Sequence, residues 1–187
     1  MSHKYDINLT VENILEFSYN FSCFNPSDIN EHILVLTEYA NLCEHITEFG
    51  TRRGISTWAW LGSKAKTIRC FDVDEKVKDY LEPHILAVKN HAPDKDFTFT
   101  CVNTIADKLE IEPTDLLFID TAHTYEQCSK ELQMHAHKVK KYLIFHDTAL
   151  YQELNKAINE FLESNKEWKV KEILTNNNGL TVLERII

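Results

Sequence analysis

The chain is poor in the residues that bend or break a backbone: four glycines and four prolines among 187 residues. Gly-x-x-x-x-Gly-Lys-Ser/Thr is missing, which excludes a P-loop, and Gly-x-Gly-x-x-Gly is missing too. Without that motif's middle glycine a dinucleotide's pyrophosphate is disfavoured. Long apolar runs are lacking as well. The stretch Leu116 to Ile119 is among the longest, far too short to span a bilayer. The amino-terminal stretch lacks a basic segment followed by an apolar one, so no secretory signal is expected and the cytoplasm is the expected compartment. Basic residues are in deficit, with a net charge of -9 and one local cluster at Lys138, Lys140 and Lys141. A nucleic-acid groove is therefore not expected. Five cysteines (Cys23, Cys43, Cys70, Cys101, Cys128), an odd number with no Cys-x-x-Cys pair, read as reduced core residues.

What remains is a globular composition, 43% hydrophobic and 26% charged. A single domain over 1–187 is expected, able to bury roughly 70% of its unfolded surface. No repeat, low-complexity segment or internal linker interrupts it. Residues 1–26 are expected to be irregular, yet Phe17, Tyr19, Phe21 and Phe24 make them too aromatic for a disordered tail. They either pack against the body or form a flap over the active site. Asp28 with Glu31 resembles a capping box, and Ile29, Ile33, Leu34, Leu36, Ala40 and Cys43 repeat at helical spacing.

Because glycine is so rare, its placement carries information. Gly50 and Gly54 fall where the apolar run His45-Ile-Thr-Glu-Phe49 passes into a helix start, Gly50-Thr-Arg-Arg-Gly-Ile-Ser-Thr57. From there strands are expected near 66–72, 97–102, 115–120 and 142–147. Helices alternate with them near 75–91, 104–110 and 124–139, and another follows near 150–163. Such alternation predicts a Rossmann-like, doubly wound, mostly parallel α/β sheet with helices on both faces. Two further strand-like runs, 168–174 and 180–186, flank Thr175-Asn-Asn-Asn-Gly179, a strong hairpin signal. The expected sheet thus has seven strands and ends in an antiparallel hairpin.

In such folds the ligand sits at the carboxyl ends of the strands. Glu48 directly before the loop suits a ligand bearing positive charge, while Gly50, Thr51, Ser56 and Thr57 supply donors for a carboxylate. Arg52 stands in the same loop. S-adenosylmethionine, with its ammonium, carboxylate and sulfonium, has that profile. Asp72, 22 residues beyond Gly50 at the second strand's end, falls where a carboxylate accepts both ribose hydroxyls, with Asp74 as the alternative. Asn103 and Thr104, just past the third strand, fall where the adenine is contacted.

Two strands end in acids on one expected edge, Asp120 and Asp147. An unpartnered half-buried carboxylate is costly, so such acids are placed. Asp120-Thr-Ala-His123 sets an imidazole on a loop fixed by a Thr124/Gln127 capping box, facing the cofactor. A sugar hydroxyl is too weakly acidic to ionise unaided at pH 7, so methyl transfer to oxygen needs a base. His3, His32, His45, His84 and His91 read as surface or packing residues. His135 and His137, two apart in a helix, cannot form a zinc pair there.

Glu48 to Thr57, Asp115 to Glu126 and Ile144 to Thr148 together resemble class I S-adenosylmethionine-dependent methyltransferases. More narrowly they are similar to the branch of sugar and macrolide O-methyltransferases and cephalosporin-hydroxylase-like proteins. The resemblance covers about residues 28–186. It implies metal ligands at Asp120 and Asp147, a third at His146 and the base at His123. Imidazole is a poor partner for Mg²⁺, so His146 implies extra water on the ion or a softer one such as Mn²⁺. Thr121 replaces a common small glycine, and Lys140-Lys141 stand where a Gly-Gly turn often precedes the fifth strand. The expected partner is a small-molecule or glycan acceptor, with no nucleic acid and no membrane, in a homo-oligomer. Three rivals remain: a non-catalytic S-adenosylmethionine-binding regulator, an NAD-linked oxidoreductase, and a zinc-binding module using His123, His146 and the acids.

Overall fold

A computed structural model describes residues 11–106 and 108–186. Residues 1–10, and with them His3 and the first part of the expected flap, lie outside the described residues, as do Asp107, Ile187 and the side chains of Val11, Glu12, Asn13 and His91. Seven strands form one sheet: β1 (His45–Phe49), β2 (Thr67–Asp72), β3 (Asp96–Cys101), β4 (Thr114–Ile119), β5 (Val139–His146), β6 (Trp168–Leu174) and β7 (Leu180–Arg185). Their order is β3-β2-β1-β4-β5-β7-β6. Every pairing from β3 to β5 is parallel, and β7 joins β5 and β6 antiparallel. The expected Rossmann-like sheet with its terminal hairpin is therefore the observed one.

Side chains alternate across the sheet and build two cores. Ile46, Ile68, Leu116, Phe118, Ile144 and Val182 face one way, against α1 (Val11–Phe24), α2 (Ile33–Ala40), α3 (Thr57–Gly62) and α4 (Val77–His91). Phe49, Leu117, Ile119, Leu143, Phe145 and Leu183 face the other way, against α5 (Tyr125–His135) and α6 (Gln152–Ser164). All six residues of β4 are buried, as a strand covered on both faces must be.

Several local expectations are corrected. Residues 11–24 are a helix rather than irregular chain: Ile14, Leu15, Tyr19 and Cys23 pack on the first core, while Phe17, Phe21 and Phe24 stay exposed. Asp28 and Glu31 form no capping box. A 3-10 turn (Asn30–His32) without side-chain caps leads into α2, and Asp28 turns away to Arg52. No helix covers 104–110 among the described residues; a loop runs there instead. Lys140 and Lys141 lie inside β5, which starts at Val139.

The order of strands reverses at β1, whose neighbours are β2 and β4, so the sheet's switch point opens a crevice beyond Phe49 and Ile119. Gly50 is required there by close approach. Its φ is +85°, and a Cβ would lie 1.9 Å from the Asp120 carbonyl oxygen. Gly50→Ala is thus expected to destabilise the protein by at least about 2 kcal/mol, from left-handed strain and displacement of the Asp120 backbone. Urea unfolding checks it, and an unchanged midpoint would refute the contact.

Candidate functional site

Four side chains converge beyond the ends of β4 and β5. His123 Nε2 donates to Asp147 Oδ2 at 2.7 Å and lies 3.6 Å from Asp120 Oδ1. His146 Nδ1 lies 3.6 Å from Asp120 Oδ1 and 3.5 Å from Asp147 Oδ2. Each is held from outside the cluster. Thr124 caps α5 by accepting the Gln127 N–H, which fixes the turn just after His123, and Tyr151 stacks on the His123 ring at 4.3 Å. The Gln127 side chain does not close the box; it donates to Thr104 and Glu131. His146 Nε2 donates to the Asn177 carbonyl at 3.3 Å, and the buried His32 ring meets it edge-on. Asp147 itself takes a φ of 62°, a left-handed conformation that non-glycine residues seldom adopt and that tends to mark functional positions.

Electrostatics follows from the crowding. The Asp120 and Asp147 carboxylates raise His123 to about 9, against the opposing effect of partial burial. Burial pushes His146 down, yet the close approach and negative charge of the same two acids outweigh it and lift the group to about 10. Burial pushes both acids up, and the two imidazoles reverse that, leaving Asp120 below the ordinary range and Asp147 well below it.

The residues also fit a metal ion. Donor atoms of Asp120, His146 and Asp147 lie within 4.8 Å of one another. His146 Nδ1 and Asp147 Oδ1 are buried with no hydrogen-bond partner, an arrangement that a ligand would resolve. Asp147 belongs to both arrangements, because its Oδ2 lies 2.7 Å from His123 Nε2 and 3.5 Å from His146 Nδ1. Two carboxylates and one imidazole suit Mn²⁺ better than Mg²⁺.

Beside this cluster two clefts meet at Gly50, Arg52 and Asp120. One, of about 390 Å³, is lined by Asp72, Val73, Asn103, Thr104, Thr121 and Gln127. The other, of about 350 Å³, is lined by Asn25 to Ile29, Thr51, Arg53 and Ile55. The Asp72 carboxylate receives the backbone N–H of Arg52 at 2.8 Å and of Asp74 at 2.9 Å, so it shapes the glycine loop as well as lining the cleft. Asp74 is exposed and caps the next turn through the Lys76 N–H.

The loop's other polar residues are corrected. Glu48 is fully buried: Ser56 and Trp60 donate to Oε1 at 2.6 and 2.8 Å, Thr57 and Cys70 to Oε2 at 2.8 and 3.0 Å. It faces no ligand ammonium, and the Ser56 and Thr57 hydroxyls serve it rather than a ligand carboxylate. The Thr51 hydroxyl turns inward to the Phe71 carbonyl. Gly54 packs against His84, which donates to its carbonyl at 2.9 Å, so its freedom serves packing. Sequence reasoning missed His32, Tyr151, Asn177 and Glu131. The last is a buried carboxylate that receives Thr104, Thr121 and Gln127 at the cleft wall. Only the Asn-rich turn left a signal, and it read as a hairpin alone.

With the geometry in place, comparison defines the class. The model of the family described as Methyltransferase domain matches residues 47–148, and the chain belongs to that family, as a class I S-adenosylmethionine-dependent methyltransferase. No curated protein matches the sequence. Solved structures share the fold at low identity. A Corynebacterium glutamicum protein has TM-score 0.69 at 15% identity, over 95% of this chain and 89% of that one. An O-methyltransferase family protein from Burkholderia thailandensis has TM-score 0.62 at 11% identity, over 95% and 63%. A Podospora anserina methyltransferase solved with S-adenosylhomocysteine has TM-score 0.58 at 14% identity, over 94% and 88%.

The raised histidines set a pH dependence for metal-free protein. Since both fold with pKa values above the ordinary 6.5, their stabilisation is complete below about pH 6.5 and is lost as pH rises through about 9 and 10. The lowered acids act oppositely, stabilising above about 3.8 and losing that contribution in more acid solution. Melting temperature in EDTA should therefore peak between about pH 4 and 6.5 and fall toward pH 10. His123→Gln should flatten the alkaline fall, and an unaltered slope would show that the pair carries no such energy.

Proposed function

We propose that the protein transfers the methyl group of S-adenosylmethionine to a hydroxyl oxygen of a sugar or other small polyhydroxyl acceptor, assisted by a divalent ion. One observation carries this reading: a histidine–aspartate pair and a metal-competent donor set share Asp147, and a second member of that set, Asp120, lines both clefts. A purely cofactor-binding regulator needs no such cluster.

Asp72 is assigned to the ribose hydroxyls, Asn103 and Thr104 to the adenine, and Gly50, Thr51 and Arg52 to the remainder of the cofactor. Asp120 lines both clefts and belongs to the metal-competent set, so it joins the cofactor site to the catalytic cluster. A divalent ion held by Asp120, His146 and Asp147 would supply Lewis-acid polarisation of the acceptor hydroxyl and cancel the carboxylate charge that keeps His123 protonated. His123 then takes the acceptor's proton at Nδ1, because Nε2 is committed to Asp147. Asp147 orients the ring, and Tyr151 against its face fixes the plane. That the Burkholderia thailandensis neighbour is an O-methyltransferase family protein supports oxygen as the acceptor atom.

Calorimetry with S-adenosylhomocysteine tests the cofactor contacts. Asp72→Ala should weaken binding by about ten-fold or more, the loss of charge-assisted hydrogen bonds, and equal affinity would remove Asp72 from the site. Turnover is tested with labelled S-adenosylmethionine, a panel of saccharides and catechols, and Mn²⁺, Mg²⁺ or EDTA. His123→Ala should lower turnover roughly 10²- to 10⁴-fold with cofactor affinity nearly intact. Full turnover in excess EDTA, or in Asp147→Asn, would remove the metal from the mechanism. Transfer to none of the panel with tight cofactor binding would favour the regulator.

A further inference from the structure

With Glu48 buried and saturated, the cofactor's ammonium has lost the acid that the sequence offered it. The cleft of about 350 Å³ supplies another. Across its mouth Arg52 Nη1 donates to Asp28 Oδ2 at 2.7 Å, one guanidinium nitrogen on one carboxylate oxygen. Both side chains remain accessible, 72% and 40% exposed.

An exposed ion pair usually contributes little, because two mobile side chains must be ordered to form it. Here the backbone beneath each partner is already fixed. Arg52, at φ 50°, is pinned through its N–H to Asp72, the residue assigned to the ribose. The Ser27 N–H donates to Asn30 Oδ1, and the Ser27 carbonyl accepts the Asn177 side-chain amide at 2.8 Å. The Glu31 N–H donates to the same Asn177 side chain at 3.1 Å. The hairpin turn therefore clamps the segment that carries Asp28, and the pair is held open-faced at a cleft wall.

We infer that the Arg52–Asp28 pair is the receptor for the zwitterionic amino-acid end of the cofactor, Arg52 taking its carboxylate and Asp28 its ammonium. This rests on the cofactor reading proposed above. An α-amino acid presents one anion and one cation a few bonds apart, the mirror of the exposed pair. Arg52 borders both clefts, so a ligand with its nucleoside against Asp72 extends past Arg52 toward Asp28. Arginine's planar fork has further N–H donors for a second carboxylate while it keeps the first. The charges then alternate around a four-membered ring, and neither partner is left alone.

The test compares S-adenosylhomocysteine with 5′-methylthioadenosine, which keeps the nucleoside and thioether but lacks the amino-acid end. Calorimetry is run on the full chain and on Arg52→Met and Asp28→Asn. Both variants are expected to bind S-adenosylhomocysteine about ten-fold or more weakly, with 5′-methylthioadenosine affinity within about two-fold of wild type. Retained 5′-methylthioadenosine binding also shows that each variant is folded. Unchanged S-adenosylhomocysteine affinity in either variant overturns the inference while leaving the cofactor reading intact, and so does an equal loss for both ligands. Wild-type protein that binds neither ligand overturns both.

Discussion

A single buried carboxylate organises the nucleotide half of this protein. Glu48, at the end of β1, has no solvent access, and an ionised carboxylate cannot be carried into a protein interior without several compensating donors. Burial raises its pKa, and four donors oppose that rise: Ser56, Cys70, Trp60 and Thr57. Three of the four come from the start of α3 and one from β2, so satisfying the acid fixes where the helix begins relative to two strands. The five-residue stretch between, from Gly50 to Gly54, is then a loop of imposed length and direction, and its left-handed positions at Gly50, Arg52 and Gly54 follow from that imposition.

The same loop brings the end of β4 into register. The Gly50 N–H donates to the Phe71 carbonyl, while the Asp120 N–H donates to the Phe49 carbonyl. The backbones of β1, β2 and β4 are thereby tied at the point where the sheet reverses, closely enough that no Cβ fits at Gly50. From the far side, the Asn176–Gly179 turn does comparable work. The Asn178 carbonyl accepts the Ala149 and Leu150 N–H groups, which settles the loop after Asp147, and the Asn177 carbonyl settles His146. The antiparallel hairpin is thus more than a sheet ending, since its turn touches the acid loop, the histidine and the segment before α2.

Periodicity made the sheet legible. Strands such as Asp115 to Ile119 are buried on both faces and read as continuous apolar runs, and the intervening helices repeat at 3.6. The acids at strand ends were legible because their cost in an apolar setting demands a purpose, and the structure does bring Asp120, His123, His146 and Asp147 together. The helix at 11–24 was not, because its aromatic residues are divided between a buried face with Tyr19 and an exposed one with Phe17, Phe21 and Phe24, blurring the stripe. Glu48 was misread for a physical reason. Sequence places an acid beside a ligand loop, but which way it points is decided by donors such as Trp60 and Cys70 that lie 12 and 22 residues away.

The composition of the cluster beyond β4 and β5 explains how two adjacent carboxylates are tolerated there. Two carboxylates side by side would repel, and in the metal-free protein the two imidazoles, lifted to about 9 and 10, hold the charge in balance. A base protonated at neutral pH cannot accept a proton, so under the proposed mechanism this balanced state is a resting one. The acids that protonate His123 are also the ones able to hold a cation, and a cation there removes the reason for the proton to stay. In the mechanism proposed above, basicity at His123 is therefore tied to occupancy at Asp120, His146 and Asp147. The tie runs through Asp147, whose Oδ2 lies against both His123 and His146. Asp147 takes its left-handed φ just past the end of β5, and the hairpin turn holds the loop that follows it by accepting the Ala149 and Leu150 N–H groups.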